Sequence, residues 1–184
     1  MVDEAYSFRG RLDAAEELSV QVMKTRKKNL GADHPDTLIS MANLASTYWS
    51  QGRWDAAEEL DVQVIETRTK KLGADHPDTL RSMSNLASTY WNQGRWDAAE
   101  ELSVQVLETR KKKLGADHPN TLNSMNNLAY TLKCQGLTTK AIPLMEHCCK
   151  LRAEVLGPQH PDTILSREAL AAWQLEATAL GELD

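Results

Sequence analysis

The sequence predicts an all-α solenoid of antiparallel helix pairs, about eight helices in all, on three observations. First, Gly-Ala-Asp-His-Pro begins at Gly31, Gly73 and Gly115, with a degenerate Gly-Pro-Gln-His-Pro at Gly157, and Gly-Arg-x-Asp-Ala-Ala-Glu-Glu-Leu begins at Gly10, Gly52 and Gly94, so both motifs return every 42 residues. Second, the unit from Gly10 to Gln51 matches Gly52 to Gln93 at 33 of 42 positions, and Gly94 to Gln135 matches its predecessor at 32 of 42. Third, apolar residues recur in each unit at three- and four-residue steps, with no period-two alternation and no β-branched cluster between turns.

Each unit divides into two helices. Pro35, Pro77, Pro119 and Pro161, each followed by Asp or Asn, mark the starts of first-type helices. Proline at the first helical position loses no internal hydrogen bond, and an early acidic residue suits the positive helix end. Leu38, Met41, Leu44, Ala45 and Tyr48 then form one apolar face, and Gln51-Gly52 ends the helix. The second-type helix starts near Trp54-Asp55 and carries Ala56, Ala57, Leu60, Val64 and Ile65 inward. It closes in the basic run Arg68 to Lys71, which complements the negative helix end. Neither helix buries its apolar face alone, so neighbouring pairs must stack. The alanines Ala45, Ala57, Ala87, Ala99, Ala129 and Ala141 mark the close approaches.

The expected organisation is a single repeat domain over 1–184. It comprises a leading half-repeat (1–30), complete repeats at about 31–72, 73–114 and 115–156, and a closing helix (157–184). The first helices are expected at Arg11 to Asn29 and Asp36 to Ser50. Aligning Ala5 to Gly10 with Thr47 to Gly52 places the N-terminus inside a first-type helix, as in a piece of a longer array or a cap. The apolar residues Leu12, Leu18 and Val22 are then expected to stand uncovered.

The residues Asn43-Leu44-Ala45, Tyr48, Gln51-Gly52-Arg53-Trp54, Ala57 and Leu72-Gly73-x-x-His76-Pro77-Asp78 resemble the tetratricopeptide repeat (TPR). More narrowly, they resemble its 42-residue variety of kinesin light chains and of NLR-like (STAND) receptors. The resemblance covers nearly the whole chain. It implies a right-handed superhelix whose first-type helices line a concave, peptide-holding groove. By that resemblance the groove positions are Ile39, Ala42, Ser46, Trp49 and Ser50, then Arg81, Ser84, Ser88, Trp91 and Asn92, then Asn123, Asn126, Tyr130, Lys133 and Cys134. Over the two successive comparisons eight of these ten pairs change, against two of 22 at the other positions of the same helices. The second-type helix is quieter, keeping Glu58, Glu59 and Gln63 in its later copies. Variation confined to one face reads as specialisation for ligand contact; recent duplication is the plainer alternative.

Asn43, Asn85 and Asn127 form a ladder, one per repeat. A primary amide both donates and accepts, so it suits an extended peptide backbone, as the matching asparagines of related repeats do; bonding to a neighbouring helix is the other reading. Trp49 and Trp91 are the aromatic anchors expected at an interface. Trp54 and Trp96 read as corner packing, and Trp173 as part of a terminal cap. Arg81 and Lys133 tilt the expected ligand toward acidic character.

Other chemistry is poorly supported. His34, His76, His118 and His160 occupy one loop site per repeat, about 10 Å apart when stacked, whereas zinc needs ligands about 2 Å from one centre. A helix-start role explains them better. His147, Cys148 and Cys149 are consecutive in one helix, without paired metal-ligand spacing, and read as packing. Pro143 is expected to interrupt one backbone bond of its helix. No nucleophile–base pair, phosphate loop or carboxylate dyad emerges, so neither catalysis, a cofactor nor a metal is expected.

A net charge of −5 argues against nucleic acid, and no apolar run approaches the ~20 residues that span a bilayer. Three cysteines without a pairing pattern, Cys134, Cys148 and Cys149, point to free thiols and a cytoplasmic setting. The leading expectation is a non-catalytic module binding a protein or peptide segment. Its rivals are a sensor or oligomerisation segment of a larger NLR-like receptor, and a structural array that self-associates through its ends.

Overall fold

The computed structural model describes the backbone of residues 2–180 and the side chains of residues 14–180. Among them are eight helices and no strand: α1 (Val2–Leu30), α2 (Pro35–Ser50), α3 (Trp54–Leu72), α4 (Pro77–Asn92), α5 (Trp96–Leu114), α6 (Pro119–Cys134), α7 (Thr138–Val155) and α8 (Pro161–Leu180). None of them is long and apolar enough to cross a membrane.

The period is visible in the bonds that start and stop each helix. His34, His76, His118 and His160 each accept, through Nδ1, the backbone N–H two residues on, at 3.1–3.2 Å. This satisfies one of the orphan donors of the helix N-terminus. The threonine hydroxyls of Thr37, Thr79 and Thr121 donate to the carbonyls of Gly31, Gly73 and Gly115 at 2.8–2.9 Å, tying each loop to the helix it precedes. At the far end, Gly52 takes φ +74°, so its N–H reaches the Trp49 carbonyl while that of Arg53 reaches Tyr48. The left-handed turn requires glycine there.

An arginine at period 42 joins each second-type helix to the first-type helix that follows. Arg26, Arg68, Arg110 and Arg152 each donate to the carbonyl ten residues on and to the serine hydroxyl fourteen residues on: Ser40, Ser82, Ser124 and Ser166. Arg68 and Arg152 are buried, and burial lowers the pKa of Arg68 and Arg110. The first residue of the basic run is thus a clamp between helices rather than a complement to the helix end.

Successive helices pack α1 to α4 within one compact unit, Met1–Gly94, and α5 to α8 within a second, Arg95–Asp184. In the first, Leu38, Met41 and Val64 form a buried cluster against Met23 and Leu60. In the second, Leu107, Met125, Leu128, Leu132, Ile142, Met145, Cys148 and Trp173 form a larger one. Each such side chain contributes ~1.5–3 kcal/mol when fully buried. Ala57, Ala99 and Ala141 are completely buried, as close helix approach demands.

One expectation is corrected. No break occurs at Gly10: α1 runs through it, ~1 kcal/mol being the whole penalty for glycine inside a helix. At the other corners a glutamine precedes the glycine and holds the turn against the preceding helix: Gln51 to Glu16, Gln93 to Asp55 and Glu58, Gln135 to Asp97 and Glu100. Arg9 stands in that place before Gly10. On the closing helix α8, Trp173 is 8 % exposed and packed edge-on against Tyr130. Pro143 lies beyond the first turn of α7, and the helix continues past it to Val155. Leu18 and Val22 stand exposed as expected; the side chain of Leu12 lies outside the described residues.

Candidate functional site

In the first unit the expected contact residues project from α2 and α4. Helix formation puts Asn43, Ser46 and Trp49 on one side of α2 by their three- and four-residue spacing, and Arg81, Ser84, Asn85, Ser88, Trp91 and Asn92 along α4. Trp49 is 41 % and Trp91 37 % exposed, comparable to Trp96 at 39 % and Tyr130 at 37 %. Asn43 is exposed and Asn85 half-buried, and neither amide makes a hydrogen bond among the described residues. The small polar neighbours are bonded to their own helix: Ser84 to the Leu80 carbonyl, Ser88 to Ser84 and Asn92 to Ser88, at 2.8–3.1 Å. Arg81 pairs with Asp78 one turn back, at 2.9 Å.

A cavity of about 360 Å³ opens between these helices, lined by Ala45, Ser46, Trp49 and Ser50 of α2, Asp61 of α3, and Asn85, Ser88 and Thr89 of α4. Asp61 is 2 % exposed, and its Oδ1 has no hydrogen-bond partner. Burial pushes its carboxyl up to about 7, against a small opposing pull from Arg68. Sequence reasoning passed over this residue. The available signal was a charged residue between Ala57 and Val64, on the buried face, where the sister repeats carry Ser19 and Ser103.

The second unit treats the corresponding positions differently. Arg152 extends its clamp to α6, donating to Asn123 Oδ1 at 2.7 Å and Asn126 Oδ1 at 3.3 Å; Ser166 also donates to Asn126, at 3.0 Å. Tyr130 packs on Trp173 with ring centroids 5.0 Å apart, and Lys133 pairs with Glu176 at 2.9 Å, its side chain only 17 % exposed. Four of the five expected contact residues of α6 are therefore engaged by α7 and α8. Asn127, the third rung of the amide ladder, is exposed and without a side-chain bond among the described residues.

One further reading changes in light of these contacts. The constancy of Glu58 across the repeats has a structural reason, because Gln93 and Gln135 bond it and its copy Glu100. Part of the contrast between variable and constant faces is therefore scaffold geometry. The cysteines are free; Cys148 and Cys149 are buried in the core, where desolvation pushes Cys148 up to about 11, and no group of three or more potential metal ligands occurs among the described residues.

The tetratricopeptide repeat family model matches residues 4–70, 45–112 and 83–154. No curated protein sequence matches the chain. Among solved structures, a kinesin-light-chain-type protein of Podosopora anserina with nearly identical TPR-like repeats matches at 32 % identity, with a TM-score of 0.79; the match covers 98 % of this chain and 84 % of that one. A single-substitution variant of that same protein gives the same identity and coverage at TM-score 0.80. BtubC (BKLC) from P. vanneervenii shares the fold at 18 % identity and TM-score 0.75, over 90 % of this chain and 66 % of its own. With three overlapping matches spanning most of its length and the helix pairs of the solved arrays, the chain belongs to the tetratricopeptide repeat family.

Proposed function

We propose that the chain is a non-catalytic module that holds an extended segment of a partner protein on the face formed by α2 and α4. Repeats of this family generally mediate protein–protein interaction. The observation that carries the reading is the pairing of exposed Trp49 and Trp91 with the unbonded amides of Asn43 and Asn85. The rings supply apolar contact area with few rotamers to freeze, and the amides supply sequence-independent bonds to peptide main chain. Asn127, in the second unit, is likewise exposed with an unbonded amide among the described residues. Asn123, Asn126, Tyr130 and Lys133 make internal contacts, and Asn123 and Tyr130 stay exposed beside them, Tyr130 at 37 %. For an acidic ligand segment the available cation is Arg81, whose side chain is 61 % exposed beside its weak surface pair with Asp78, while Lys133 is paired with Glu176.

The test is retention of a randomised decapeptide library by the chain and by an Asn85→Ala/Trp91→Ala variant. Retention by the wild type with loss of at least ~10-fold in the variant supports the reading, matching the ~1.4 kcal/mol or more expected of an aromatic anchor. Equal retention by both refutes it. Self-association is a second reading, supported by α8, whose Leu165, Leu175 and Leu180 are 60 %, 74 % and 64 % exposed. Concentration-dependent light scattering tests it: a constant monomer mass rejects it, and a mass that falls when Leu175 becomes Glu supports it.

A further inference from the structure

The cavity between α2, α3 and α4 has one polar group that the fold does not use. The Asp61 carboxylate is buried, accepts no hydrogen bond, and faces a space walled by Trp49 and by the neutral side chains of α2 and α4. The one charged group acting on it is Arg68 of its own helix, and that guanidinium is bonded to the Asp78 carbonyl and the Ser82 hydroxyl. Nothing in the scaffold requires a carboxylate here, because the equivalent positions of the neighbouring repeats are Ser19 and Ser103. An unpaired buried carboxylate is destabilising, and such groups are normally paired or hydrogen-bonded.

We propose that this cavity is the subsite for a basic side chain, arginine or lysine, of the bound polypeptide, with Asp61 as the partner of its cation and the Trp49 ring covering its alkyl stem. The proposal rests on the polypeptide-binding reading above and names the residue type that it selects. A cation entering the space meets an acceptor with no competing donor, in surroundings where a charge-assisted bond is stronger than in water. The stem packs on an exposed indole, which also attracts cations over its face. An acidic side chain in the same place meets a like charge.

The probe is a positional-scanning decapeptide library applied to the whole chain, to Asp61→Asn and to Asp61→Ser, the second restoring the residue of the sister repeats. The wild type is expected to enrich arginine and lysine at one library position, and both variants to lose that enrichment while retaining the unbiased library within about two-fold. A selected peptide is then compared with its arginine→citrulline form, which keeps shape and removes charge. The expected loss is about 10-fold on the wild type, the scale of one charge-assisted hydrogen bond, and none on Asp61→Ser. Retention without basic preference, or a citrulline penalty equal in both proteins, overturns the subsite and leaves the peptide-binding reading standing. Failure of the wild type to retain any peptide overturns both.

Discussion

Replacing Asp61 by Ser should stabilise the protein, by an amount that depends on pH in a defined direction. The folded carboxyl titrates near 7 instead of its ordinary 3.8, because burial disfavours the ion more than Arg68 favours it. A raised acid pKa means that the native state binds more protons than the unfolded state between these values. The penalty is therefore absent below about pH 4, grows as pH rises toward 7, and is constant above. About three pH units at about 1.36 kcal/mol each give an upper value of about 4 kcal/mol; water entering the adjoining cavity reduces this toward about 2 kcal/mol. Serine fits, since Ser103 is itself buried at the equivalent place. Denaturant titrations followed by circular dichroism at pH 4, 6 and 8 read the difference. Asp61→Ser should match the wild type within about 0.5 kcal/mol at pH 4 and exceed it by about 2–4 kcal/mol at pH 8. A gain independent of pH, or a loss at pH 8, would refute the reasoning.

Three further outcomes follow from single contacts. Arg68→Met should cost about 1–3 kcal/mol by thermal denaturation, since it strands the buried Ser82 hydroxyl while keeping the apolar stem; no loss would remove the clamp from the list of stabilising contacts. His76→Ala should cost about 0.5–2 kcal/mol, and His76→Asn, which restores an acceptor, distinctly less; equal losses would argue against capping. A thiol reagent at pH 8 should label Cys134 at least ~10-fold faster than Cys148, whose burial and raised pKa leave little thiolate until the chain unfolds; equal rates would contradict the core placement.

The elements were legible because each is repeated with its punctuation. Proline-started helices expected from Asp36 and its copies are observed from Pro35, Pro77, Pro119 and Pro161. The histidines' helix-start role followed from their spacing. What escaped depends on which side chains meet across helices. Arg152 shares the period of Arg26, Arg68 and Arg110, so its extra reach to Asn123 and Asn126 has no one-dimensional mark. The same holds for Lys133, whose partner Glu176 lies on α8 at the place where the earlier copies carry Ser50, Asn92 and Cys134, none of them charged. Asp61 was hidden for the opposite reason, as one substitution within a near-identical unit. The break expected at Gly10 failed because a corner needs its glutamine as well as its glycine.

The reach of the arginine clamp has a consequence for how such a chain changes length. Each clamp ties residues ten and fourteen apart, and each corner glutamine bonds at a separation of 35 to 38, always less than one 42-residue unit. An in-frame duplication or deletion among the near-identical units therefore meets an equivalent donor and acceptor at the join for these bonds, whereas the pairs Lys133–Glu176 and Tyr130–Trp173, one residue beyond the period, are tied to the last unit. Recombination between such similar stretches becomes a structurally silent event, and the count of repeats a quantity that a lineage can alter in one step. Single-residue change is then left to adjust sites such as Asp61, where one copy is made to differ from its siblings.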